Sequence, residues 1–352
     1  YGEPDYTIAT GASGGSYQSH QTADNYPGVF DGIIVSSSFP DVTTATIFTL
    51  ADARLLNNYF SQLGEEAFTR EQQRAVSGFG VFDSIANLSR GAARLDPLTN
   101  IDTALEEQGG EVSIPALQDN LYSPGNPGGV RATVYDHSVN VYGTTANPLD
   151  PSQSLAQRPL DNVGVQYGLQ ALNESLITAQ QFVDLNQGIG GFDRDMNHVP
   201  ERHRADGQAT KRAIESGRIL FGGAGLAATP VIDYRSYNDH REGGDIHMIV
   251  HQFSTRARLI NANGHADNHV MHVGGQWGFV EGQDDLGNLF RQMDSWVRAI
   301  QNDSLEADPE RKVARARPSN LVDSCWDTTS ETVELLEETL QFNSASRCGQ
   351  LY

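Results

Sequence analysis

Tyr6-Thr7-Ile8-Ala9-Thr10-Gly11-Ala12-Ser13-Gly14-Gly15 runs a short β-prone segment straight into a serine flanked by glycine and alanine. Gly11-Ala12-Ser13-Gly14-Gly15 fits G-x-S-x-G, the pattern in which a serine sits on a strained turn between a strand and a helix. Small residues suit that turn because it brings neighbouring backbone into close approach. The polar residues that follow predict a helix of about ten residues ending before Pro27. Beyond it, Phe30-Asp31-Gly32-Ile33-Ile34-Val35 reads as a strand of a buried parallel sheet. Strand, turn, helix and strand make a βαβ unit. Five residues rich in glycine also form ordinary loops, so it is the flanking strand and helix that point to a nucleophile, with Ser13 as the attacking residue. A helix N-terminus directs free N–H groups at developing negative charge, which makes the Gly14 N–H one oxyanion donor.

Outward from this unit the character changes. From 42 to 227, Pro, Gly and Asn interrupt short helical stretches and no second parallel repeat emerges. This reads as an insertion or cap. Thr69 with Gln72 and Thr178 with Gln181 have the spacing of capping boxes, and Ile177 with Phe182 that of a hydrophobic staple. The α/β pattern resumes over 228–308. Thr229 to Tyr234 predicts a strand, a helix should then carry Ile249, Phe253, Ala257 and Ile260 on one face, and Asn268 to Val273 predicts another strand. Leu289, Phe290, Met293, Trp296, Val297 and Ile300 fall at helical spacing and read as core. Residues 309–352 read as a partly irregular tail. The division is therefore 1–41 and 228–308 for an α/β core, 42–227 for a mainly helical insertion, and the tail.

Composition narrows the function classes. The 352 residues carry 45 Asp and Glu against 24 Lys and Arg, a formal net charge of −21. That field repels phosphate backbones and anionic lipid, so nucleic acid and membrane are poor partners. No apolar run approaches the ~20 residues of a membrane span. Cys325 and Cys348 both lie in the tail, and a disulfide between them would favour a secreted or periplasmic protein.

The run from Gly11 to Asp41, with Asn25-Tyr26-Pro27-Gly28 and Phe30-Asp31-Gly32-Ile33-Ile34, resembles tannases and feruloyl esterases. The chain resembles still more an uncharacterised family of bacterial α/β-hydrolase-like proteins, through Arg158 to Gly168, Gly190-Gly191-Phe192-Asp193, and Pro230 to Leu259. The resemblance implies an α/β-hydrolase fold and a serine mechanism. In these families a long segment precedes the elbow, holding the first strands of the sheet and a second oxyanion donor; here 12 residues precede Ser13. The expectation is that early strands are missing from this chain and that a further N-terminal segment or a companion chain completes the sheet.

The resemblance also bears on the rest of the triad. Asp239 lies where the acid loop of tannases falls, with Asp245 and Asp41 as alternative acids. His247, in Asp245-Ile246-His247, matches an aspartate-x-histidine pattern of the uncharacterised family, whereas His272 near the end of the later strand is where fold topology normally puts the base. His247 is preferred. His240, His265 and His269 read as surface or loop residues, and His247 with His251 lacks the further ligands of a metal pair. Asp193, Asp195 and Asn197, continued by the Val199 carbonyl and Glu201, space oxygen donors as in a structural calcium loop, although His198 stands where glycine is expected and Arg204 where a glutamate is expected. No cofactor is expected for catalysis. The leading function is hydrolysis of a carboxylic ester, of aryl or polyester type, through an acyl-enzyme. An acyltransferase or amidase with the same triad, and a hydrolase-like binding or assembly protein, are the alternatives. Tyr167, Tyr234 and Tyr237 are candidates for an apolar pocket, with core packing as the competing role.

Overall fold

The computed structural model describes residues 2–64, 66–97, 121–123, 125–148, 150–275, 277, 285–305, 308–327, 329, 333–342 and 344–352. The chain divides into two compact units. The first comprises Tyr1–Thr46, Gly217–His240 and Asp245–Tyr352, and the second Ile47–Ser216 with Arg241–Gly244.

The first unit is an α/β structure built on a six-stranded sheet. Its strands are β1 (Ile8–Ala12), β2 (Gly32–Ser36), β3 (Val231–Arg235), β4 (His269–Val273), β5 (Ser324–Asp327) and β6 (Glu334–Glu337), hydrogen-bonded in chain order. β1 to β5 run parallel and β6 closes the far side antiparallel to β5. Alternation along β2 assigns its faces, as the pleat requires. Ile34 points into a cluster with Ile232, Val270, Met293 and Trp296, while Ile33 and Val35 join Ala23, Val231, Leu226 and Leu259. Helices cover both faces, which is why β2 is apolar at successive positions. Among the described residues β1 has β2 as its one neighbour, and it is correspondingly half-exposed while β2 is almost wholly buried.

Helix α1 (Gly14–Asn25) follows β1 directly. Helix α2 (Val250–Asn263) buries only part of the face its apolar spacing suggests: Ile249 is buried and Phe253 packs against the same cluster, but Ala257 and Ile260 are exposed, and His251, Gln252, Thr255 and Leu259 turn inward. The reason is a buried polar demand, since the Gln252 amide donates to the Asp233 carbonyl at 2.6 Å. Helix α3 (Asp285–Asn302) buries Leu289, Met293, Trp296 and Val297 as its periodicity predicts, and the Trp296 indole donates to the Val313 carbonyl at 2.9 Å. The tail is more regular than its composition suggests. It supplies β5 and β6, and a Cys325–Cys348 disulfide ties the terminal helix Arg347–Leu351 to β5.

The second unit is mainly helical. Its helix Phe48–Ser61 buries Leu50, Leu55, Leu56 and Phe60 and packs against Ser84–Gly91. Thr69 with Gln72 and Thr178 with Gln181 form complete capping boxes at the starts of helices Arg70–Ser77 and Ala179–Gly188, each satisfying two orphan backbone donors. It also contains two short hairpins, Thr144–Ala146 with Ser154–Ala156 and Gly191–Phe192 with His198–Val199.

Candidate active site

The site begins at the corner between β1 and α1. Ser13 has φ 52 and ψ −113, a region that a side-chain-bearing residue occupies only when its surroundings force it. Those surroundings are explicit. The Ser13 N–H donates to the Ser36 carbonyl of β2 at 3.1 Å, and the Ser13 carbonyl accepts from the Ser16 N–H at 2.9 Å and the Ser16 hydroxyl at 2.6 Å. Ser16 Oγ in turn accepts from the Phe39 N–H at 3.0 Å. A Cβ on Gly11 would lie 2.6 Å from the Gly15 carbonyl carbon, so the corner closes only over glycine there, whereas a Cβ on Gly15 would meet nothing within 4 Å. Gly14 opens α1, so its N–H is among those that a helix leaves without an internal partner.

The loop after β3 brings the other two groups. His247 Nε2 stands 2.9 Å from Ser13 Oγ, and His247 Nδ1 stands 2.6 Å from Asp245 Oδ1. With the carboxylate on Nδ1, that nitrogen carries the proton and Nε2 is left to accept from the serine hydroxyl. Asp245 Oδ1 also accepts the His247 backbone N–H at 2.9 Å, an Asx turn that fixes the acid two residues before its histidine. The Phe39 ring packs edge-on against the imidazole at 5.4 Å.

The structure therefore brings together Ser13, His247 and Asp245, whereas Asp239 binds elsewhere in the loop. The Asp239 carboxylate accepts the Ile249 N–H at 2.9 Å at the start of α2, and burial holds its carboxyl above the usual range. Asp41 is fully buried and occupied elsewhere: it accepts from Thr44, from the Leu220 N–H at 3.1 Å and from Arg258 at 2.7 Å. His272 lies within β4 with Nδ1 2.6 Å from Ser324 Oγ, and burial pushes it down to about 4. His269, read from sequence as a surface or loop residue, is buried at the start of β4 with Nε2 3.4 Å from Asp233.

Two groups went unrecognised in the sequence. Arg235, at the end of β3, is buried, and its guanidinium donates to the carbonyls of Met248 at 2.6 Å and Ser38 at 3.0 Å. Burial lowers its pKa, while the nearby charges of Asp233, Asp239 and Asp245 oppose that shift. Asp233, also fully buried, accepts the Ser38 hydroxyl at 2.6 Å. The available signal was an aspartate and an arginine in a strand that begins with an apolar pair, neither of which can be buried without partners.

The candidate calcium residues do not converge on a cation. The Asp193 carboxylate accepts the N–H groups of Asp195 at 2.8 Å and Asn197 at 3.0 Å and the Asn197 amide at 3.0 Å, closing an Asx-type turn. Asp195 is paired with Arg131 at 2.7 Å and accepts from Tyr122, Val199 lies in a hairpin strand, and Glu201 is exposed. A carboxylate already matched by a guanidinium is a poor hard-cation ligand, so this set does not fit calcium. Among the described residues no group of three or more His, Cys, Asp or Glu side chains is arranged to hold a metal. Of the tyrosines read as pocket candidates, Tyr167 is buried with its hydroxyl donating to Asp52 at 2.6 Å, and Tyr234 packs against the β-sheet core. Tyr237 packs at a tilt against Tyr352, with ring centroids 4.9 Å apart.

Comparison with known proteins adds a family to this geometry. No curated protein matches the chain. Among solved structures, it is similar to an esterase from Aspergillus oryzae at 13% identity and a TM-score of 0.35, covering 84% of this chain and 59% of that one. It is similar to esterase E22 at 13% identity and a TM-score of 0.24, covering 82% of this chain and 60% of that one. The chain thus spans about 60% of the length of these esterases. A family model matches over residues 1–352, and the chain belongs to the tannase-like family of unknown function.

Proposed function

We propose that the protein is a serine hydrolase that cleaves carboxylic esters through an acyl-enzyme, on an α/β-hydrolase framework whose second unit is a cap. The observation that carries this reading is the continuous hydrogen-bonded relay Ser13–His247–Asp245, with spacings of 2.9 and 2.6 Å. His247 Nε2 takes the Ser13 proton as Oγ attacks the ester carbonyl, and the same imidazolium then protonates the departing alcohol. Asp245 holds the imidazole in the required tautomer and offsets its charge. The Gly14 N–H stabilises the tetrahedral oxyanion at the head of α1. Water, deprotonated by His247, then releases the acid and restores Ser13. The chain's tannase-like family supports an ester as substrate.

The half-exposed β1, with β2 alone beside it among the described residues, supports a further strand, from the same polypeptide or a companion, pairing along its open edge. The Cys325–Cys348 disulfide supports an oxidising compartment, and no described helix is long and apolar enough to cross a membrane. Ser13→Ala tests the central assignment. It should abolish hydrolysis of p-nitrophenyl esters and labelling by a fluorophosphonate, with the melting temperature unchanged. Full esterase activity in that variant would remove Ser13 from the mechanism.

A further inference from the structure

We infer that Arg235 is a positioning residue that sets the Ser13–His247 distance by clamping together the two backbone segments on which those side chains stand; this rests on the reading of that pair as nucleophile and base. Its guanidinium is a two-sided fork. Nη1 donates to the Met248 carbonyl at 2.6 Å and the His247 carbonyl at 3.3 Å, gripping the base-bearing loop at two successive peptide carbonyls. Nη2 donates to the Ser38 carbonyl at 3.0 Å and the Ser38 hydroxyl at 3.1 Å.

Ser38 belongs to the segment that holds the elbow. Two residues before it, the Ser36 carbonyl accepts the Ser13 N–H, and one residue after it the Phe39 N–H donates to Ser16 Oγ, which itself donates to the Ser13 carbonyl. One planar group thus spans from the peptide of the base to the strand that carries the strained corner. Ser38 is in turn fixed by its hydroxyl's bond to Asp233 at 2.6 Å.

The choice of residue follows from this span. All four bonds go to carbonyls and a hydroxyl, and none of them to a carboxylate. A charge buried to 1% exposure without a hydrogen-bonded counter-ion is costly, and its neighbours Asp233, Asp239 and Asp245 offset that cost only through space. An ion pair would have held the charge more cheaply but would not have joined two loops. A lysine keeps the charge yet presents a single point donor, which cannot face both segments in fixed geometry. Because a displacement of about 1 Å at the reacting pair costs about 100-fold in rate, loss of the fork should appear in turnover and not in substrate affinity.

The test uses fluorophosphonate labelling of Ser13 and steady-state ester hydrolysis by the full chain. Arg235→Lys should lower both kcat and the labelling rate by about 100-fold with KM within about threefold of wild type. In a His247→Ala background the same substitution should leave the residual labelling rate unchanged, because the fork then has no base to position. Ser38→Ala, which removes one acceptor of the fork together with the hydroxyl's bond to Asp233 and leaves the Ser38 carbonyl, should give a smaller loss with the same dependence on His247, and it carries the test if Arg235→Lys does not fold. Wild-type labelling rates in both Arg235→Lys and Ser38→Ala, or equal losses with and without His247, overturn the inference. A wild-type protein that is not labelled at Ser13 overturns instead the hydrolase reading beneath it.

Discussion

At the scale of single residues, the site turns on which of two nearby aspartates faces the imidazole. Asp239 and Asp245 share one loop, yet only Asp245 reaches His247 Nδ1, because its Asx turn folds the carboxylate back over the residue two positions on. Asp239 reaches the Ile249 N–H instead and steadies the start of α2. The two should therefore separate cleanly by mutation. Asp245→Asn removes the charge that stabilises the imidazolium and offers the wrong hydrogen-bonding edge, and kcat should fall by about 10³- to 10⁴-fold. Asp239→Asn keeps an acceptor for the Ile249 N–H, and its kcat should stay within about tenfold of wild type. Steady-state kinetics on the two purified variants decide it, and the reverse ranking would return the acid to Asp239.

Elements show what the sequence could and could not disclose. β1, α1 and β2 were legible because a glycine-flanked serine, a polar helix and an apolar run each state one local preference, and these agree. α2 was legible as a helix but not in its orientation. Hydropathy assigns Ala257 and Ile260 to the core, whereas the face that turns inward carries Gln252, whose amide satisfies the Asp233 carbonyl of β3. β5 and β6 escaped notice because their pairing is set by tertiary partners and not by alternation over a few residues. The spacing Asp-x-His was visible, but which carboxylate closes on the ring depends on a turn that spacing alone does not specify. The elbow itself yields a prediction about an element. Gly11→Ala forces its Cβ onto the Gly15 backbone at 2.6 Å, and should destabilise the protein by about 1–3 kcal/mol and abolish labelling of Ser13. Gly15→Ala meets no atom within 4 Å and lies inside α1, so it should leave the melting temperature level or raise it, by up to about 1 kcal/mol in stability. Thermal melts of the two variants check the contrast, and equal destabilisation by both would mean that the corner is packed differently.

For the molecule as a whole, the first unit buries histidines that have to stay neutral. His20, His251 and His272 are each at most 5% exposed, and each has an Nε2 without a hydrogen-bond partner among the described residues. Protonation would strand a charged donor in the core, and burial pushes their pKa values down to about 4, about 3 and about 4. In the unfolded chain the same groups titrate near 6.5. Above that pH both states are neutral and the groups leave stability unaffected by pH. Below it the unfolded chain takes up protons that the folded chain refuses, so stability is lost as pH falls from about 6.5 towards 4. Three such sites set a slope approaching about 4 kcal/mol per pH unit. The net charge of −21 works in the opposite direction, since acid relieves self-repulsion. Carboxylates titrate near 4, however, and that relief begins only below about pH 5, so between 6.5 and 5 the histidines should dominate. The melting temperature should be level from pH 8 to 7 and drop steeply below 6.5. His272→Gln, which cannot protonate, should make the drop shallower. A melting temperature that holds steady down to pH 5 would mean that these imidazoles find solvent or partners when charged.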